Sequence, residues 1–124
     1  MIRGIGLDFC EISRMEKMRM MTRFAERYFT EAEQEYIRGK GFHAAQTMAG
    51  IFAAKEALAK ALGTGISFDL REAEVIHDEA GRPAYRLRGK PAELAGGDNL
   101  LLTITHDGGI AGAVCIREEG VKNG

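Results

Sequence analysis

Apolar residues alternate with small or polar ones at the start of the chain: Ile5, Leu7 and Phe9 interleave with Gly4, Gly6 and Asp8. This period of two predicts a strand over Ile2–Ile12, with Asp8 on the face opposite the apolar side chains and close to the strand's end. Ser13-Arg14-Met15-Glu16 then fits the S-x-x-E capping box and predicts a helix start. Met18, Met21, Ala25 and Tyr28 follow at spacings of three and four and give that helix one apolar stripe. Thr30-Glu31-Ala32-Glu33 repeats the box and starts a second helix near Glu31. Gly39 and Gly41 mark a loop. The strongest signal is a helix from His43 to Leu62, with Ile51, Ala54, Leu58 and Leu62 on one face and Gly63 placed as a left-handed C-cap. Beyond it, Val75 and Ile76 form a strand, Asp78–Pro83 carries turn chemistry, and Tyr85 and Leu87 alternate on the returning strand. Lys90–Ala95 fits a short helix turn. Leu100–Thr105 and Ile110–Ile116 close a hairpin around His106-Asp107-Gly108-Gly109. Helices in a block and strands in hairpins predict an α+β fold: a largely antiparallel sheet packed with one long helix and two shorter N-terminal ones. No linker or repeat interrupts the 124 residues, so a single domain over residues 1–124 is expected.

Composition changes the picture little. Hydrophobic residues make up 45% and charged residues 28%, which suits a soluble globular chain. A net charge of -1 gives no whole-molecule attraction to nucleic acid or to a membrane, and aromatics for base stacking are few. No apolar run approaches the ~18 residues of a bilayer span. No charged segment followed by a long apolar one opens the chain, and Cys10 and Cys115 lie in apolar strand-like runs, so a cytoplasmic location with two reduced, packed thiols is expected.

Charged residues at unexpected angles carry the candidate chemistry. At ~100° per residue, Lys55 lies about 40° from Ile51, near the centre of the long helix's apolar arc. Glu56 and Lys60 fall on the other side as an i,i+4 pair, either a surface ion pair or part of a site. Asp8, on a glycine-flanked strand, is a second acid with room around it. Two carboxylates from distant segments suit a hard cation such as Mg²⁺, which takes one or two carboxylates and completes its shell with water and phosphate. Gly63-Thr64-Gly65 fits a plain C-cap, or a nest of backbone amides for an anion that Lys60 would help hold. Thr103-Ile104-Thr105-His106 puts hydroxyls and an imidazole at a strand end, suited to phosphate or to structure. Arg14, Lys17, Arg19, Arg23 and Arg27 concentrate positive charge on the first helix, either as a solvated face or as a dock for an acidic protein.

Taken together, GIGLDFCEISR (4–14), RFAERYFTEAE (23–33), FAAKEALAKALGTGI (52–66), DEAGRPAYRL (78–87) and TITHDGGIAGAVCI (103–116) resemble the holo-acyl-carrier-protein synthases, the small bacterial 4′-phosphopantetheinyl transferases. The resemblance implies transfer of 4′-phosphopantetheine from coenzyme A to a serine of an acyl carrier protein. Adenosine 3′,5′-bisphosphate is the other product. It implies Mg²⁺ at Asp8 and Glu56, with Asp8, Glu56 and Lys60 in catalysis. It implies coenzyme A contacts from Lys55, Lys60, Gly63, Thr64, Gly65, Pro83, Thr105 and His106. It further implies carrier docking on Arg14 and Arg23, and a homotrimer with active sites between subunits. The chain departs from the family pattern at Ile51, where relatives commonly carry arginine. A non-catalytic coenzyme A or nucleotide-binding module is the alternative, and it would not need both acids.

Overall fold

The computed structural model describes residues 1–121. The chain runs β1 (Ile2–Glu11), α1 (Ile12–Met18), α2 (Thr22–Tyr28), α3 (Glu31–Arg38), α4 (Ala44–Leu62), β2 (Ala73–His77), β3 (Pro83–Leu87), α5 (Gly89–Ala95), β4 (Asn99–Asp107) and β5 (Ile110–Glu118). The strands form two antiparallel sheets, one in the order β1-β5-β4 and one pairing β2 with β3. The α+β expectation holds, with three short helices before α4 rather than two.

The alternation in β1 is present, but its faces are inverted from the usual arrangement. Gly6 and Cys10 are buried and Asp8 is half-buried on the side that meets α4. Ile5, Leu7 and Phe9 are 66%, 50% and 66% exposed on the other side. Register extends this outer face across the sheet: Ile5 pairs with Ile116 and then Leu101, Leu7 with Val114 and then Thr103, Phe9 with Gly112 and then Thr105. The core lies between the sheet's inner face and α4, whose alanines 49, 53, 54 and 57 are fully buried.

Small residues let the two backbones touch. A Cβ at Gly4 would sit 2.0 Å from the Ala61 carbonyl oxygen, and one at Gly6 would sit 1.8 Å from that of Ala57. No side chain fits there. The helix therefore lies flat on β1 with its carbonyls against the strand.

One capping box forms and the other does not. Thr30 accepts from the Glu33 amide at 3.1 Å, and Glu33 Oε1 accepts from the Thr30 amide at 2.9 Å. At Ser13 no box exists, because the N-cap falls two residues earlier, at Glu11. Ile12 donates its amide to the Gly109 carbonyl at 2.9 Å, so strand pairing leads straight into α1. The single helix expected from Ser13, with its apolar stripe running on to Tyr28, is broken at Arg19–Met21 into α1 and α2. At its far end α4 closes as predicted. Gly63 takes φ 77°, with Gly63 N–H on Lys60 O at 3.0 Å and Thr64 N–H on Ala59 O at 3.3 Å.

Gly6→Ala should cost about 3 kcal/mol, the upper part of the range for overpacking, because a backbone carbonyl cannot swing aside as a side chain can. Urea unfolding at fixed chain concentration measures this, and a loss below 1 kcal/mol would mean that the helix can lift off the strand cheaply.

Candidate active site

Flat contact between α4 and β1 sets Asp8 beside Glu56. Lys60, one helical turn further on, donates to Asp8 Oδ1 at 3.1 Å and to the Leu7 carbonyl at 2.8 Å. Asp8 Oδ2 is buried and has no hydrogen-bond partner among the described residues. An orphaned carboxylate oxygen in a buried position is costly unless something else satisfies it. Burial and the neighbouring Asp8 carboxyl push Glu56 up to about 7, against the pull of Arg14 and Lys60. Among the described residues no group of three or more His, Cys, Asp or Glu side chains gathers around a metal position. The site thus offers two acids, a half-exposed ammonium and one unsatisfied oxygen. That donor set is hard and incomplete, as suits a cation that keeps water and phosphate in its shell.

The glycine turn beside Lys60 is narrower as an anion site than its sequence implies. The amides of Gly63 and Thr64 are spent on closing the helix, and the Thr64 hydroxyl donates to the Gly65 carbonyl at 3.0 Å. Gly63 and Thr64 therefore contribute no free amide to the expected nest. Lys60 is the exposed cation at this end of α4.

Lys55 goes elsewhere. Its side chain is 0% exposed, and its Nζ donates to Leu70 O at 2.7 Å and Ala73 O at 2.9 Å and pairs with Glu33 Oε1 at 2.9 Å. Glu33 Oε2 in turn accepts from the Val75 amide at 2.9 Å. The contact with coenzyme A expected of Lys55 is corrected: its ammonium is sealed inside, tying α4 to α3 and β2. Burial pulls its pKa below the ordinary lysine value, and Glu33 opposes that pull. The helical angle correctly points Lys55 inward; its partner Glu33 is visible in the sequence only as a capping residue.

A second cluster forms at the other end of α4. Pro83 and His106 line a cavity of about 330 Å³ with Tyr36, Lys40, Gln46 and His77. Gln46 Nε2 lies 3.0 Å from His106 Nε2, and the Tyr36 and His77 rings stack 4.1 Å apart. Ile51 also faces this cavity, at the position where relatives commonly have arginine. Thr105 and His106 are consecutive on β4 and so point to opposite faces: His106 toward α4 and the cavity, Thr105 outward beside Phe9. Arg14 lies on α1, near the cluster at Asp8. Its guanidinium is 5.8 Å from the Phe52 ring centre, and its charge acts on Glu56. Arg23 is exposed on α2.

The model of the 4′-phosphopantetheinyl transferase superfamily matches residues 4–108, which include both clusters. The chain belongs to that superfamily. Among transferases of this kind, the holo-[acyl-carrier-protein] synthase of Caldicellulosiruptor saccharolyticus is 40% identical over 122 residues, covering 96% of this chain and 98% of that one. The synthase of Treponema denticola is 41% identical over 122 residues, covering 95% and 99%. A crystal structure of the Bacillus anthracis synthase in complex with CoA (3′,5′-ADP) matches at TM-score 0.82 and 36% identity, over 97% of this chain and 99% of that one. The Helicobacter pylori synthase in complex with coenzyme A matches at TM-score 0.81 and 30% identity, over 92% and 99%.

Two outcomes follow for this transferase. Glu56 titrates near 7 when folded and near 4.5 otherwise, so the folded chain holds the proton more tightly. Its stabilising contribution is complete below pH 4.5 and is lost as pH rises through 7. Glu56→Gln should therefore flatten the fall in melting temperature between about pH 5 and 8 in chelator; an unchanged slope would separate the two acids. Lys55→Met should cost about 3–5 kcal/mol by stranding the Glu33 carboxylate. Lys55→Met with Glu33→Gln should recover part of that loss in denaturant titration.

Proposed function

We propose that this chain is a holo-[acyl-carrier-protein] synthase, which transfers 4′-phosphopantetheine from coenzyme A to a serine hydroxyl of apo acyl carrier protein. Adenosine 3′,5′-bisphosphate leaves. The observation that carries this reading is the orphaned Asp8 Oδ2 beside a Glu56 that titrates near neutrality, both next to Lys60.

Asp8 and Glu56 would hold Mg²⁺, whose chemistry is to neutralise charge on the pyrophosphate as it is split. Glu56 is placed to take the serine proton as general base. The serine oxygen forms a bond to the β-phosphorus, and the bond from that phosphorus to the bridging oxygen breaks. The bridging oxygen keeps the electron pair and leaves with the nucleotide. Lys60, more than half exposed, offers its ammonium to the charge that develops there. The exposed outer sheet face of Ile5, Leu7, Phe9 and Leu101 supports assembly with a partner subunit, since apolar side chains in a row on one face call for cover; the homotrimer is what the family resemblance implies. In that assembly Pro83, Thr105 and His106 of one subunit hold coenzyme A against Asp8 and Glu56 of its neighbour. Arg14 and Arg23 dock the acidic carrier. A cytoplasmic location fits the two unpaired, buried thiols, and no helix of the described residues is long and apolar enough to cross a membrane.

Incubation with apo carrier, coenzyme A and Mg²⁺ should add one phosphopantetheine to the carrier's mass. Asp8→Ala should abolish the gain with little change in melting temperature; a near-normal rate would discard the two-acid site. Activity should return when Asp8→Ala and His106→Ala chains are co-expressed, because mixed assemblies contain some intact sites. Failure of that rescue would place both clusters' work within one subunit.

A further inference from the structure

A second cavity, of about 180 Å³, shares no residue with the acid pair or with the cluster at Pro83 and His106. Ala25 of α2, Phe29 just after it, Ile37 of α3 and Met48 of α4 supply its apolar walls. Phe29, Ile37 and Met48 are buried and form the floor. Arg19 and Arg38 are exposed at its rim, and no carboxylate lines it. The floor is braced from behind. Gln34 donates its side-chain amide to the Phe29 carbonyl at 3.1 Å, and the Phe29 amide donates to the Ala25 carbonyl at 3.0 Å. On its far side the Phe29 ring packs 6.3 Å from Phe52, centre to centre.

Both rim guanidinium groups have donors to spare. Arg19 meets Glu16 through Nε and Nη2 at 3.3 and 3.2 Å, which leaves Nη1 without a partner among the described residues. Arg38 makes no hydrogen bond or ion pair among them. A guanidinium fork fits a carboxylate through two parallel N–H bonds. An exposed ion pair by itself contributes little, so a ligand held here must also bury apolar surface. An apolar cavity of about 150 Å³ takes one benzene molecule. The volume found here therefore suits a single ring. A thioether and a phenyl group on the floor favour a flat aromatic body, through sulfur–ring and ring–ring contacts.

We propose that this cavity binds a small aryl monocarboxylate. The ring lies on Phe29, Ile37 and Met48, and the carboxylate meets Arg38 with Arg19 Nη1 beside it. Such an occupant ties α2 and α3 to α4 and so stabilises the folded chain. Neither the acid pair nor coenzyme A takes part, so the site stands or falls independently of the transferase reading.

The test is a benzoate titration of the full chain with ¹³C-labelled methionine methyl groups, followed by NMR, with the Met48 signal assigned through Met48→Leu. Benzyl alcohol is the ring-only control and acetate the charge-only control. Benzoate should shift the Met48 methyl saturably with Kd on the order of 1 mM, a range open to a ligand of about nine non-hydrogen atoms. Each control should bind at least about tenfold more weakly. Ala25→Leu, which fills the cavity and keeps both arginines, should abolish the shift. Arg38→Gln, at an exposed position, should weaken benzoate about tenfold and leave benzyl alcohol unchanged. Absence of a saturable shift at Met48, or acetate binding as well as benzoate, would overturn the site. Benzyl alcohol matching benzoate, or benzoate indifferent to Arg38→Gln, would overturn the carboxylate and the proposal with it. Weakening by Arg38→Gln but not by Ala25→Leu would mean ion pairing on the surface alone, and would overturn the proposal as well. Should Ala25→Leu fail to fold, the Met48 shift, the two controls and Arg38→Gln decide the question without it.

Discussion

A helix backbone lying directly on a strand backbone is the constraint from which the site follows. With Gly4 and Gly6 under the carbonyls of Ala61 and Ala57, nothing separates α4 from β1. Asp8 is two residues beyond Gly6, and Glu56 is one residue before Ala57, so the same contact forces two carboxyl groups together. Burial raises the pKa of Glu56 most, and the adjoining Asp8 carboxyl raises it further. Side-chain packing would leave a layer that could relax; backbone contact fixes the approach and leaves the electrostatic cost in place for a cation to offset.

Adjacent residues on α4 illustrate two ways of handling buried charge. Lys55 and Glu33 form a closed set, in which the ammonium has two carbonyls and a carboxylate, and Glu33 has two backbone amides besides. Asp8 and Glu56 form an open set, with one oxygen lacking a partner. A closed set specifies structure, because every member is satisfied only in one arrangement. An open set invites a ligand.

What could be read in the sequence followed local rules. Alternation placed Asp8 opposite Ile5 and Leu7, the helical wheel turned Lys55 inward, and Thr30-x-x-Glu33 capped α3. What could not be read depended on partners far along the chain. Ser13 lost its cap because Ile12 was already bonded to Gly109, ninety-odd residues away. The apolar residues of β1 pointed outward because glycines on the other side were needed by α4, and no local pattern says which face of a strand will be covered. Asp8 and Glu56 could be listed as candidate ligands from spacing and family resemblance. The spent amides of Gly63 and Thr64 required the cap geometry itself.

Lys55 and Lys60 differ five residues apart in a way that chemistry can report. One amine is wholly enclosed and the other is 55% open. Acylating reagents need a neutral, accessible amine, so in the native protein they reach Lys60 and not Lys55. Modification at Lys60 tracks whether the cleft is covered, and modification at Lys55 appears only when α4 comes away from β2. A mass map of the two positions therefore reads cleft occupancy and unfolding in one sample.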